Sequence, residues 1–340
     1  MEDKTEKFEL HKFIADKGQK PLRIDKFLVD KIENASRTKI QTAAEQGYLL
    51  VNGIEVKSNY KVKPGDIIQL MTYYKPEKTE LIPENIPLKI LYEDEHILII
   101  NKSADMVVHP AFGNEQGTLV NALMYHLKGL DLFNSENQRA GLVHRLDKNT
   151  SGVMVIAKND EALTNLSKQF FNRVPEKKYL ALVWGIPKEN NGTIVGNIGR
   201  HLQNRKLMHV FPEGDYGKHA VTHYKVLKDY GYVSLVECIL ETGRTHQIRV
   251  HLKYLGHPIF GDTEYGGTEI LRGTKYTKYK QFIHNCFKLM PAQALHAQNI
   301  EFIHPVTNET LSFTAELPEN FKLLLKKWED YIQNREIYSD

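Results

Sequence analysis

Residues 141 to 158, GLVHRLDKNTSGVMVIAK, set one carboxylate, Asp147, beside Arg145 and His144 in a short polar turn between two apolar runs. A lone carboxylate can attack an electrophilic carbon or take a proton if a nearby cation holds it ionised and aimed. Turn chemistry explains why Asp147, Asn149 and Gly152 are tolerated there. It gives no reason for an arginine two residues before the carboxylate. Partner cations are available in residues 241 to 262, ETGRTHQIRVHLKYLGHPIFGD. Arginine and histidine are dense in that run, and Ile248, Val250 and Leu252 alternate through it as interior positions of a strand or helix would. The bland alternative is a basic helix start with a capping threonine.

Other chemistries find little support. The chain has fifteen histidines but only two cysteines, Cys238 and Cys286, and neither pairs with a ligand at metal spacing. HExxH and CxxC patterns are absent. His246 and His251 could share a face, yet Arg244, Arg249 and Lys253 beside them would repel a cation. Phosphate-cradling glycine loops, GxxxxGK[ST] or GxGxxG after a strand, are also missing. The TSG after Asp147 lacks the directly adjacent Asp and the second copy that a shared-proton protease dyad requires. The expected chemistry therefore uses no metal and no cofactor.

Composition describes an ordinary soluble chain of 340 residues, 26% charged and 41% apolar, long enough for a large domain and a small one. A formal net charge of +3 does not by itself argue for nucleic acid, so local clustering must carry that case. The charged start MEDKTEKFEL has no apolar targeting segment, and no run approaches the ~18 apolar residues that span a bilayer. With no disulfide framework, the expectation is a cytoplasmic, non-membrane protein and a monomer.

After a polar lead at 1–20, residues 21–74 read as a small α/β unit. Ile24, Phe27, Leu28 and Ile32 recur at helical spacing, and Ser36 can cap a second helix that Gly47 stops. YLLVNGIEV is a hairpin signal around Asn52-Gly53, and KVKPGDIIQL adds a turn and another strand. Residues 75–87, with three prolines and no sustained period, read as a linker. From 88 to 340, strand-like runs recur at LKILYEDEHILIINK, GLVHRL, GVMVIAK, KYLALVWG, VTHYKVLK and VSLVECILE. Helical patterns lie at 118–128 and 160–172, and an amphipathic helix begins near Glu319. Strands that often follow one another without a helix predict an α+β domain with a mixed, largely antiparallel sheet.

These residues carry two resemblances. RIDKFL, SRTKIQTAAEQGYLLVNG and VKPGDIIQL resemble the ribosomal-protein S-four-type RNA-binding domain. HRLDKNTSG resembles the H-R-L-D-x-x-T-S-G signature of the RluA-type pseudouridine synthases at every fixed position. NKSADMVVHP, KKYLALVWG, ETGRTHQIRVHL, HPIFGDTEYG and ALHAQNIEFIHPVTNETLSF resemble that family's other elements, in order, with Ser103 and Asp105 departing from the usual Pro and Gly. The resemblance implies an RNA-modifying isomerase of the pseudouridine synthase fold that turns selected uridines into pseudouridine. Ribosomal RNA is the favoured substrate and assembling ribosomal subunits a further partner. The alternatives are a transfer-RNA synthase and a catalytically silent RNA-binding or assembly protein.

By position, the resemblance makes Asp147 the essential carboxylate, attacking the ribose or acting as a base at the sugar. It sets Tyr179 against the target base, pairs Arg244 with Asp147, and lays Ile248 under the uracil. Arg145 would fill the space left by an extruded uridine, whose unstacking costs a few kcal/mol. His144 would either bridge strand and turn or touch RNA, and His109 and Arg249 join the substrate-binding set. Phosphate contacts are expected from Arg23, Arg37, Lys39 and Lys57 in the small unit and from Arg205 and Lys275 in the large one. Tyr276 and Tyr279 interleave with lysines as stacking residues would, although a solvated loop would look the same.

Overall fold

The computed structural model describes residues 8–16, 18–32, 35–72, 81–110, 114–133, 140–214 and 216–337. They fall in two compact units that divide between residues 79 and 80.

In the first unit, β1 (Phe8–Ile14) and β2 (Leu22–Arg23) precede helices α1 (Ile24–Lys31) and α2 (Arg37–Glu45). Strands β3 (Leu49–Val51), β4 (Ile54–Glu55), β5 (Lys61–Val62) and β6 (Ile67–Thr72) follow. The Ser36 hydroxyl accepts the Lys39 N–H at 3.3 Å and so caps α2. Asn52 and Gly53 both hold positive φ, 52° and 80°, the two-residue turn that matches strand twist between β3 and β4. Ile24, Phe27 and Leu28 of α1, with Ile40 of α2, bury against Leu49, Val51 and Ile68. One difference from expectation lies in the polar lead, which supplies β1, paired antiparallel with β6 at the sheet edge. None of its residues is more than half-buried, so its sequence shows little apolar alternation.

The larger unit begins with β7 (Ile90–Glu93), β8 (Ile97–Lys102), α3 (Leu119–His126), β9 (Ser151–Ala157) and α4 (Asp160–Phe171). Next come β10 (Glu176–Trp184), β11 (Asn191–Arg200), β12 (Met208–Phe211), β13 (Lys218–Asp229) and β14 (Val233–Leu240). The remainder is α5 (Gln247–Tyr254), α6 (Thr277–Leu289), β15 (Leu295–Ile303), β16 (Thr310–Thr314) and α7 (Glu319–Ile337). Among the described residues the strands form one ten-stranded sheet in the order β12-β11-β13-β14-β10-β15-β9-β8-β7, with β16 on β15. Only β9 and β15 pair in parallel, so the expected mixed, largely antiparallel α+β architecture holds. The α7 helix is seated by Trp328, fully buried, with ring centroids 6.2 Å from Phe260 and 6.4 Å from Trp184.

Three further segments depart from the sequence reading. GLVHRL forms no strand; only Leu142 makes a bridge, to Ile156. Ala140 and Gly141 enter it with φ of 43° and 70°, and a Cβ on Gly141 would lie 2.0 Å from the Ala157 carbonyl oxygen. The segment meets β9 through that bridge and through the Ala157 N–H, which donates to the Gly141 carbonyl at 2.9 Å. Of the expected linker, residues 75–80 lie outside the described residues, and 81–87 are fastened to the larger unit. There Asn121 donates to the Ile82 carbonyl at 2.8 Å, and Gly117 N–H donates to Glu84 at 2.9 Å. Finally, Tyr279 sits inside α6, 3% exposed, and donates its hydroxyl to the Arg272 carbonyl at 2.8 Å. It is closed to stacking, whereas Tyr276 is 76% exposed.

The β9–β15 pairing matters most for the turn at Asp147. It registers Ser151 against His296 and Gly152 against Ala297. Gly152 has φ 125°, and a Cβ there would meet the Ala297 carbonyl oxygen at 2.2 Å. The TSG spacing thus puts the one residue type that admits β15 at the start of β9. Ser151 completes the contact through its hydroxyl, 2.9 Å from His296 Nδ1, while His296 Nε2 donates to the Ala315 carbonyl at 3.1 Å. Gly152→Ala is expected to lower stability by more than about 1 kcal/mol, because both backbone strain and strand separation oppose it. Urea unfolding of the two proteins checks this.

Candidate active site

Asp147 opens a tight turn in which the Thr150 N–H donates to its carbonyl at 3.0 Å. That is the position where a short acidic side chain is favoured. Beneath the turn lies Lys102, 1% exposed, whose ammonium donates to the carbonyls of Ser103, Met106 and Lys148 at 2.8, 2.9 and 3.1 Å. Burial pulls the Lys102 pKa down to about 7, and the negative charge of Asp147 works against that fall. The lysine thus pins the loop after β8 to the Asp147 turn, a role that residue spacing alone did not reveal.

Facing the carboxylate is Arg249 on α5. Its Nε and Nη2 form a fork on Asp262 at 2.7 and 2.8 Å, and Nη2 also donates to Glu264 at 2.6 Å. The remaining nitrogen, Nη1, lies 3.7 Å from Asp147 Oδ2. The guanidinium is 4% exposed and Asp262 fully buried. Burial opposes the arginine's charge, but Asp262, with Asp147 and Glu264, more than offsets it and holds the pKa above the usual range. Asp262 is fixed in turn by the N–H groups of Glu264 and Tyr265, at 3.0 and 3.1 Å.

The expected pairing of Arg244 with Asp147 is not what the geometry holds. Arg244 precedes α5, and its Nε donates to the His219 carbonyl at 3.1 Å. The reason is helical: residues 247–254 form α5, so Arg249, one turn into the helix, turns inward with Ile248. Arg244 remains in the lining of the same cavity. His246 also approaches Asp147, its Nε2 at 4.0 Å, while its Nδ1 is 2.8 Å from the Tyr265 hydroxyl. It holds φ 56°, which turns the chain into α5. Burial lowers the His246 pKa against the pull of Asp147.

These groups surround a cavity of ≈ 120 Å³ lined by Asp147, Tyr179, Ile248, Arg249, Leu240 and Leu295, among others. That is far below the ~300–1,000 Å³ of a drug-sized site and suits one flat ring. Tyr179 projects from β10, between β14 and β15, and is 8% exposed. Burial, then the charge of Asp147, pushes its phenol above the usual range, so it stays protonated at neutral pH. Ile248, 4% exposed, supplies an apolar surface beside it. Arg145 is exposed at the mouth. His144 bridges turn and strand: its Nε2 accepts the Val155 N–H at 3.1 Å, and its ring stacks on Phe170 at 4.7 Å. Burial, then Lys177, pushes its pKa down to about 3, so it is neutral. His109 is not among the cavity's lining residues, and its Nδ1 lies 3.0 Å from the Pro110 carbonyl oxygen.

The cations expected to meet phosphate are spread over both units. Arg23 and Arg37 converge on the buried Asp25, at 2.9 and 3.0 Å, which orients both guanidinium groups at the surface. Burial would raise the Asp25 pKa, but Arg23, Arg37 and Gln41 hold it well below the carboxylate range. Lys39, Lys57 and Lys275 are exposed, and the Arg205 carbonyl accepts the Arg200 guanidinium at 2.8 Å.

The sequence pattern described as RNA pseudouridylate synthase matches residues 96–254, and that of the S4 domain matches residues 22–68. The chain is 54% identical over 313 residues to an RNA pseudouridine synthase of Chlorobaculum parvum, covering 92% of this chain and 95% of that protein. It is 41% identical over 304 residues to the ribosomal large subunit pseudouridine synthase D of Xylella fastidiosa, covering 89% and 88%. The solved human RNA Pseudouridylate Synthase Domain Containing 4 superposes with a TM-score of 0.54 at 27% identity, covering 71% of this chain and 93% of that one. A compact apolar cavity with one carboxylate at its edge and a buried arginine behind it fits those relationships, and the chain belongs to the RNA pseudouridine synthases, enzymes that isomerise uridine within RNA, with an S4 domain preceding the catalytic unit.

Proposed function

We propose that this enzyme isomerises selected uridines of large-subunit ribosomal RNA and that Asp147 is its single catalytic carboxylate. The observation that carries the catalytic assignment is the 3.7 Å approach of Arg249 Nη1 to Asp147 at the edge of a one-ring cavity. The substrate assignment draws on the relative from Xylella fastidiosa, named for the large ribosomal subunit and matched over most of both chains. Such a substrate would be met in the cytoplasm, on free RNA or on assembling subunits.

The chemistry follows from the lining. The N-glycosidic bond of the bound uridine breaks, the uracil turns within the cavity, and C5 bonds to the ribose carbon that N1 has left. Whether Asp147 attacks the sugar or takes a proton from it, it acts as an anion, and Arg249 favours that form. Ile248 and the Tyr179 ring give the detached uracil apolar walls on which to turn without water. The C5 proton then departs. Arg145 at the mouth fills the stack left by the extruded base.

Asp147→Asn is expected to abolish release of tritium from large-subunit ribosomal RNA transcribed with uridine tritiated at C5, while filter retention of that RNA stays within about threefold. Equal release by both proteins would sink the assignment. The two arginines should separate kinetically. Arg249→Lys keeps a charge but loses the fork on Asp262, and kcat should fall by roughly 10²-fold, the scale for losing one preorganised donor. Arg244→Met should instead raise KM and leave kcat within about threefold. Modification mapping of RNA from a deletion strain identifies the substrate. A missing pseudouridine in large-subunit ribosomal RNA is the expected result, and a loss confined to transfer RNA would overturn that part of the reading.

A further inference from the structure

Beside the catalytic cavity lies a second, larger concavity of ≈ 520 Å³. The two share Arg145, Tyr179, Leu240, Gly243 and Arg244, so a chain leaving one passes directly into the other. The second concavity adds Arg173 and Lys177, along with Phe170 and Phe171 at the end of α4.

Its charges have only neutral partners: Arg244 Nε donates to the His219 carbonyl, and the Lys177 ammonium lies over the Phe170 ring, 5.7 Å from its centroid. Among the described residues no carboxylate lies within ion-pair distance of Arg173, Lys177 or Arg244. Burial, and then the charge of Arg173, lowers the proton affinity of both Lys177 and Arg244. The one acid in the lining, Glu241, meets His223 at 2.7 Å. Cations crowded in this way repel one another until an anion enters between them.

Phe171 gives the anion's chemistry a second mark. It is 86% exposed, the highest value among the large apolar side chains described. Its neighbour Phe170 faces inward onto His144. Arg173 then takes φ 61°, two residues after Phe171 closes α4, so the ring and the arginine both belong to the helix end. One exposed apolar residue alone needs no explanation, but a bare ring among three cations without a carboxylate partner matches a nucleotide, with a flat base and a phosphate.

We propose that this concavity is a subsite for a nucleotide flanking the target uridine, its phosphate held by Arg173, Lys177 and Arg244 and its base stacked on Phe171. The subsite grips the strand next to the extruded base and so keeps that base in the cavity. This rests on the reading that Asp147 acts on an extruded uridine in a large RNA.

Two readouts test it, with large-subunit ribosomal RNA transcript and unfractionated transfer RNA as probes, both tritiated at C5 of uridine. Wild-type tritium release shows which RNA turns over, and release from transfer RNA alone overturns the ribosomal reading without touching the subsite. On whichever RNA is turned over, Phe171→Ala and Phe171→Leu should each raise KM about tenfold, the effect of one lost base stack, with kcat within about threefold and an unchanged melting temperature. Arg173→Ala should lower the magnitude of the salt slope of binding by about 0.7, one phosphate contact. Trp184 and Trp328 are 1% and 0% exposed, so F171W adds a single exposed indole. Its emission should be quenched by RNA in step with filter retention, and its KM should match wild type. A leucine variant with wild-type KM would mean apolar packing rather than stacking. Unquenched F171W emission in a protein that still retains RNA would overturn the subsite outright.

Discussion

The fork between Arg249 and Asp262 is the interaction on which the site depends. A buried guanidinium is costly, and it is stable here because two carboxylates, Asp262 and Glu264, take two of its edges. With those edges committed, the side chain cannot swing, and Nη1 has one direction left, toward Asp147. The arrangement holds a fixed positive charge 3.7 Å from Asp147, which favours the ionised carboxylate. Asp262 in turn is held by backbone N–H groups, so the aim of the arginine is set by the main chain.

The carboxylate is held from the other side by the sheet. Asp147 sits on a turn that leads into β9, and β9 is clamped by an antiparallel neighbour, β8, and a parallel one, β15. The parallel contact is possible because Gly152 presents no Cβ to Ala297. Lys102, at the end of β8, ties three carbonyls together under the turn. A polar turn that would be pliable at a surface is thereby immobilised. Rigidity and electrostatics are linked here, since a charge pair aimed to within a few ångströms is useful only if neither partner drifts.

The cationic groups follow two designs. Beside Asp147 and in the first unit, a buried acid collects arginines and fixes their direction: Asp262 holds Arg249, and Asp25 holds Arg23 and Arg37. Around Phe171 no carboxylate among the described residues pairs with the cations, and burial and the charge of Arg173 lower the proton affinity of Lys177 and Arg244. The first design orients a charge permanently, and the second leaves it available for a ligand.

Much of this was legible in the residues. The helix spacing of α1, the Ser36 cap and the Asn52-Gly53 hairpin are local matters decided within a few residues, and the sequence by itself determined them. The family resemblance implied that Asp147, Tyr179 and Ile248 share a site, and all three line one cavity. The tertiary structure alone decided which arginine faces the carboxylate. Arg244 and Arg249 are equally charged and equally near in sequence, and only the helical register of α5 and the reach of Asp262 turn one inward. The same holds for β1, an edge strand with too little burial to pattern its residues, for GLVHRL, whose half-buried apolar run makes a single bridge, and for Tyr279, which an amphipathic helix draws inside. Local spacing specifies what a segment can form; which of its charges and rings meet a partner depends on surfaces brought from distant parts of the chain.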